Sequence, residues 1–510
     1  MIDLLVVGGG VNGAGIARDA AGRGLKVLLC EQHDLASHTS SASTKLIHGG
    51  LRYLEFMEFS LVRKALAERE VLLAAAPHIM YPLRFVMPHA RHLRPAWMIR
   101  IGLFLYDHLA KRATLAASKA IRLVTHPAGA PLLGDFTRGF EYSDGWVDDA
   151  RLVVLNALDA YERGADIRVR TRCESLTVDT DGLWSATLRG PQNQLETVKA
   201  RAVVNAAGPW AASFLKMALP PDDKAARHGL RLVKGSHIVV PKLFDHDFAY
   251  IFQAEDRRIV FALPYEQNYT LIGTTDIDHT GAPDSVRISS QEIDYLCEQA
   301  NRYFKRRINP SDVVYHYSGV RPLLADESRD ARAVSRDYSL ELAREPAPLL
   351  TVFGGKITTY RSLAEEAVDR VTPLLGCTRK AWTATTPLPG GDLPQGNFDR
   401  FVDDLCQRHA ALPRDLLHRY ARAYGTRVEV LLTGIETEAD LGAAIVPGLY
   451  ACEAEYMLRY EWAQTAEDIL WRRSKLGLHA TRSALTVLQQ WLDRRNSSRA
   501  LGVHATTSAA

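Results

Sequence analysis

An apolar run from Ile2 to Val7 ends directly in Gly8-Gly9-Gly10-Val11-Asn12-Gly13. A continuous run of mostly branched residues predicts a strand covered on both faces. Gly8, Gly10 and Gly13 satisfy the GxGxxG spacing: the first permits a tight turn, the second lets a pyrophosphate approach the backbone, and the third lets a helix pack on the strand. Ala14 to Arg23 reads as that helix and Lys26 to Glu31 as the next strand. The resulting β-α-β unit aims helix N–H groups at phosphates. Glu31, closing the second strand, supplies a carboxylate for ribose hydroxyls.

Two later glycine turns point to the same ligand. Val203 to Gly208 and Leu350 to Lys356 each end a strand-like run, and Gly355-Lys356 leads into a helical stretch. No second GxGxxG occurs, which favours a flavin reduced by its substrate over one reduced by a nicotinamide nucleotide. Thr39 to Tyr53 concentrates small hydroxyl residues, Lys45, His48, Gly49-Gly50 and Arg52-Tyr53 just beyond the second strand. Such a loop can touch pyrophosphate, flavin and substrate together. Cations recur later at Arg321, Arg336 and Lys356. Converging with Arg52 they would make an anion pocket, because guanidinium forks bind phosphate oxygens bidentately; taken singly, each better suits a surface ion pair.

Composition narrows the function. Across 510 residues, 62 Lys+Arg balance 59 Asp+Glu, and the net charge of +3 argues against broad nucleic-acid binding. The six cysteines are far apart, with neither a CxxC pair nor zinc spacing, which predicts free thiols, no metal site and a reducing compartment. The opening shows no signal-peptide pattern, and no apolar stretch approaches the roughly 20 residues of a membrane-spanning helix. The expectation is a cytoplasmic protein, with binding to a surface left open.

Short strands (Ala202 to Asn205, His237 to Val240, Ile259 to Leu263, Thr270 to Gly273) alternate with helical segments such as Ser290 to Arg306, predicting an α/β core with an inserted sheet. Thr383 to Asn397 is rich in turn formers and reads as a linker. Phe398 to Asp493 has helical spacing, and Arg494 to Ala510 reads as a frayed tail.

The run from Val6 to Leu54, together with residues 139–151, 233–241, 272–276, 317–322 and 353–361, resembles the aerobic, FAD-dependent sn-glycerol-3-phosphate dehydrogenases. The resemblance spans Met1 to about Thr386, and the helical remainder resembles that family's C-terminal cap. It implies a Rossmann-like FAD-binding α/β domain with an inserted antiparallel substrate sheet (1–385, insertion roughly 216–310) and a C-terminal helical domain (398–510). It further implies FAD, glycerol 3-phosphate as donor, dihydroxyacetone phosphate as product, a membrane quinone as acceptor, and a homodimer at the inner face of the cytoplasmic membrane. By motif match, Gly8, Gly10, Asn12, Gly13, Glu31, Ser40, Ser41, Lys45, His48, Gly49, Gly208 and Gly355 would contact or frame FAD. Arg52, Tyr53, Arg321, Lys356 and Thr359 would line the substrate pocket. His48 is the first choice for general base, since histidine titrates near neutrality, with His237 second and Arg321 polarising the reacting oxygen. A glycerol-3-phosphate oxidase using oxygen shares this pocket; a flavin amine or amino-acid oxidase, or a flavoprotein without turnover, fits the generic motif.

One surface stands out. His89 to Arg122 holds seven Lys/Arg against one Asp, a net of +6. Within it, Trp97, Ile101, Phe104, Leu105 and His108 fall on one helical face, with Arg100, Asp107 and Lys111 on another. The pattern suits a helix lying in a membrane interface, and equally an amphipathic helix packed on the core.

Overall fold

The computed structural model describes residues 1–510 apart from 91–93, 221–228, 255, 257, 325–336, 508–510 and the side chains of 498–507. Two compact units emerge: Met1–Ala76 with Met80–Pro387, and Pro77–Ile79 with Leu388–Ala510.

In the first unit, Ile2–Val7, Val27–Cys30, Asp166–Arg168, Leu195–Asn205 and Leu349–Phe353 form a parallel sheet, with Ser339–Ala343 antiparallel at one edge. Leu4, Leu5 and Val6 are wholly buried, as a strand covered on both faces requires. The register matters for function: Val7 pairs with both Cys30 and Asn205, and Asn205 pairs with Thr351. The chain therefore leaves four neighbouring strands at one carboxyl edge, where open α/β sheets bind ligands. The helix Val11–Gly22 packs on this sheet and against Asp149–Glu162 and Tyr360–Leu375. Its approach to the last is close, since a Cβ at Gly15 would sit 2.9 Å from the Tyr360 ring.

The second sheet has ten strands among the described residues and is antiparallel except where Ala249–Gln253 meets Met80–His89. Its strands run from Leu46–Ile47 to Tyr315–Leu324, so an insertion confined to 216–310 is too narrow. The underestimate has a physical source. Met80–His89 carries Pro82 and Pro88, which argue against a central strand. In the fold they nonetheless pair opposite Gly145 and Gly139. The helix Ser290–Asn301 covers this sheet through Leu296 and Cys297, packed with Ile238, Val240 and Phe252.

The second unit is helical (Phe398–Arg408, Arg414–Tyr424, Ala451–Tyr460, Ala484–Thr507) with a short Ala444–Val446/Leu449–Tyr450 hairpin. Leu405, Leu417, Tyr420, Val428, Met457 and Leu488 make its core. The unit begins inside the expected linker, and the helix Ala484–Thr507 continues through Arg494, where a frayed tail was expected.

Candidate functional site

The glycine turn forms because its residues cannot be larger. Gly8 has φ +116°, and a Cβ there would lie 2.4 Å from the Ala206 carbonyl oxygen; at Gly13 it would lie 1.9 Å from the Gly8 oxygen. The Glu31 carboxylate accepts from the Gly9 N–H at 2.6 Å and the His33 N–H at 2.8 Å. Burial raises its pKa against those two hydrogen bonds. Ser40 Oγ accepts from the Val11 N–H at 3.0 Å, at the helix start. Asn12 Nδ2 donates to the Gly354 oxygen at 3.2 Å, whereas its Oδ1 is buried with no hydrogen-bond partner among the described residues.

From this turn a cavity of about 630 Å³ runs to the second sheet. It is lined by Gly8, Gly10, Asn12, Glu31, Ser40, Gly208 and Gly355 and also by His48, Arg52, Tyr53, His237, Arg321 and Lys356. The open glycine turn, the acidic residue at the second strand end and the unsatisfied Asn12 oxygen fit a dinucleotide such as FAD.

The second set of lining residues is polar and cationic. Arg321 pairs with Asp276 and donates to Thr274 Oγ1 at 3.2 Å. Gly235 opposite leaves room for it, since a Cβ there would lie 2.6 Å from the guanidinium. Lys356 Nζ lies 3.6 Å from the centre of the Tyr53 ring. His237 is buried, stacked on Tyr317 with ring centres 4.8 Å apart, and its Nε2 is 3.0 Å from Thr44 Oγ1. Burial, then the charges of Arg321 and Lys45, hold its pKa well below the ordinary 6.5, so the imidazole is neutral. His48 is anchored through its backbone, its N–H donating to Thr358 Oγ1 at 3.1 Å.

Five expected site residues do not line the cavity. Lys45 turns its ammonium onto the buried Asp149 carboxylate at 2.7 Å and the Ser41 carbonyl at 3.1 Å, and so ties down the loop. Ser41 lies in that same clip. Gly49 is a packing glycine: a Cβ would meet Leu66 at 2.4 Å, and its N–H donates to Tyr106 at 2.8 Å. Gly13 supports the turn from inside the helix. Thr359 is buried, with Oγ1 donating to the Lys356 carbonyl at 3.5 Å. Arg336 lies outside the described residues. The cavity also holds residues that carried no expected role, notably Thr44, Asp144, Trp210, Thr274 and Asp276. Thr274 and Asp276 lie within the 272–276 motif, so their proximity to a cationic pocket had a local signal; Asp144 lies likewise within 139–151.

On the surface, the helix Ala96–His108 buries Leu103, Tyr106 and Asp107. Trp97 (64% exposed), Met98, Ile101, Phe104 (56%) and Leu105 point outward. Its cations are mostly engaged: Arg94 pairs with Glu55, Arg112 with Asp107, and Arg100 bonds the Ser118 carbonyl. No helix among the described residues is long and apolar enough to cross a membrane.

Residues 3–361 match the family described as FAD dependent oxidoreductase, and 381–496 match the C-terminal domain of alpha-glycerophosphate oxidase. The glycerol-3-phosphate dehydrogenase of Pseudomonas aeruginosa is 55% identical over 502 residues, 98% of this chain and 96% of that protein. The D-erythritol 1-phosphate dehydrogenase of Brucella abortus is 47% identical over 495 residues, 97% of this chain and 98% of that protein. The solved glycerol-3-phosphate dehydrogenase of Bacillus halodurans, complexed with FAD, matches with a TM-score of 0.75 at 28% identity, covering 98% of this chain and 91% of that one.

Proposed function

The chain belongs to the FAD-dependent glycerol-3-phosphate dehydrogenases, and on that premise we propose that it oxidises sn-glycerol 3-phosphate to dihydroxyacetone phosphate and delivers the electrons to a membrane quinone. The observation that carries this reading is one cavity lined both by a dinucleotide cradle and by Arg52, Arg321, Lys356 and a neutral histidine. Gly8, Gly10, Asn12, Glu31, Ser40, Gly208 and Gly355 would hold FAD, which when bound supplies the two-electron acceptor between substrate and quinone. The cations bind the substrate phosphate and fix the C2 hydroxyl. Arg321 is itself braced by Asp276 and Thr274, so its fork is oriented before substrate arrives. His237 takes the hydroxyl proton as C2 gives up its hydride; its Nδ1 has no hydrogen-bond partner among the described residues. His48, first choice from the sequence, is the alternative base in the same wall.

The test is anaerobic titration of the purified flavoprotein with glycerol 3-phosphate, D-erythritol 1-phosphate and glycerol, following flavin absorbance. Bleaching at the lowest concentration by glycerol 3-phosphate is expected. Stronger bleaching by the four-carbon phosphate would reassign the substrate, and equal response to glycerol would remove the phosphate pocket. Arg321→Ala should weaken glycerol 3-phosphate much more than glycerol, because only the former carries the charge.

The outward apolar face of Ala96–His108 supports peripheral membrane binding. Because its cations are largely held by protein groups, the apolar side chains carry the docking. Replacing Trp97, Ile101 and Phe104 with Ser should abolish co-sedimentation with anionic vesicles; unchanged binding would return the helix to a soluble surface role.

A further inference from the structure

We propose that Glu292, on the side of the substrate sheet away from the cavity, is a positioning residue that sets His237 and Arg321 against each other. The inference rests on the proposed substrate site and deepens it. Gly235, His237, Gly319 and Arg321 line the cavity, and strand alternation turns Ser236 and its cross-strand partner Ser318 to the opposite face. There the helix Ser290–Asn301 presents Glu292, only 2% exposed. Its Oε1 accepts from Ser236 Oγ and from Thr275 Oγ1, both at 2.8 Å, and its Oε2 pairs with Lys234 Nζ at 2.6 Å.

A helix cap alone would not need this set. Glu292 does close a capping box, with Oε2 accepting the Ser289 N–H at 2.9 Å. The remaining donors come from the strand and the turn beneath the active groups. Ser236 immediately precedes His237, and its Oγ also lies 2.8 Å from Ser318 Oγ on the Arg321 strand. Thr275 stands between Thr274 and Asp276, the two side chains that hold the Arg321 guanidinium, and its Oγ1 accepts the Ser236 N–H at 2.9 Å. One buried carboxylate thus grips the strand bearing the base and the turn bracing the phosphate-binding arginine, and through Ser236 it reaches the arginine's own strand. The ionised form makes these bonds, and they together with Lys234 hold its pKa below the ordinary value against the cost of burial. Small displacements at a site of this kind are costly: a shift of about 1 Å can change a rate by about 10²-fold.

The experiment compares FAD-loaded wild type, Glu292→Gln, Thr275→Val and the double variant Lys234→Met/Glu292→Gln. Each is reduced anaerobically by glycerol 3-phosphate and by glycerol, and its melting temperature is measured. Expected for Glu292→Gln is slower flavin reduction by about tenfold or more, a smaller preference for glycerol 3-phosphate over glycerol, and unchanged FAD content. Thr275→Val should show the same direction more weakly, and it decides the matter alone where the Gln variant yields no folded protein. The double variant removes the unpaired ammonium, so it should regain melting temperature without regaining the phosphate preference. Recovery of both, or variants with wild-type preference and rate, would overturn the positioning role and leave Glu292 a cap and ion pair. Wild type that glycerol 3-phosphate fails to reduce would overturn the proposed activity and this role with it; a normal wild type with normal variants overturns this role alone.

Discussion

His237 shows how burial prepares a base. A neutral imidazole accepts a proton, and burial together with the nearby positive charges of Arg321 and Lys45 keeps it neutral far below the usual 6.5. Because the folded-state value is depressed, the stability lent by the neutral form is complete above about 6.5 and is lost as pH falls toward the folded value. The same depression predicts that substrate-driven flavin reduction stays level from about pH 6 to 8. His237→Asn should slow it by about 10². Reduction that stays near the wild-type rate in His237→Asn but falls by about 10² in His48→Asn would transfer the role to His48. Lys45 makes the opposite point about residues. Its type and its place in a loop of hydroxyls suggested a cofactor ligand, but its partner, Asp149, lies 104 positions away. No local pattern announces such a contact. Lys45→Met would strand a buried carboxylate, so unfolding in denaturant should cost about 3–5 kcal/mol less than in wild type; a loss of FAD affinity with unchanged stability would restore the ligand role.

Among the elements, the β-α-β opening was readable because its determinants are short-range: Ile2–Val7 has the bounds that its apolar run predicts, and the turn glycines follow at once. Gly13→Ala tests what the third glycine does. Its Cβ would collide with the Gly8 oxygen and drive the helix Val11–Gly22 off the turn, so the flavin-to-protein absorbance ratio should fall sharply. Gly134→Ala, where a Cβ meets nothing within 4 Å, should leave that ratio unchanged. The second sheet was only partly readable. Its strand edges in 230–273 follow branched, apolar runs, whereas Met80–His89 hides behind two prolines whose pairing partners lie more than fifty residues onward. The helix Ala96–His108 had a readable stripe, but periodicity fixes a face without fixing what lies against it. The exposure of Trp97 and Phe104 is information only the fold contains.

Across the whole molecule, the proposed membrane acceptor is to be weighed against the surface near the cavity. The turn Leu51–Phe56 places Arg52 and Tyr53 in the cavity wall, and Phe56 both lines that wall and is 46% exposed. Met57, next in the chain, is 72% exposed. The Arg94–Glu55 ion pair ties this turn to the segment entering Ala96–His108, whose outward face is apolar. Oxygen, small and dissolved in water, needs no docking face of this kind. An acceptor dissolved in a bilayer does, because it must meet the protein at the membrane surface. With quinone-containing anionic vesicles, the Trp97→Ser/Ile101→Ser/Phe104→Ser variant should reduce quinone at least about tenfold more slowly than wild type while reducing a water-soluble dye at the same rate, since docking contributes only to the membrane-bound encounter. Rapid mixing of the substrate-reduced wild type with oxygen supplies the opposing outcome: stoichiometric peroxide, formed faster than quinone is reduced and indifferent to the three substitutions, would make the protein an oxidase.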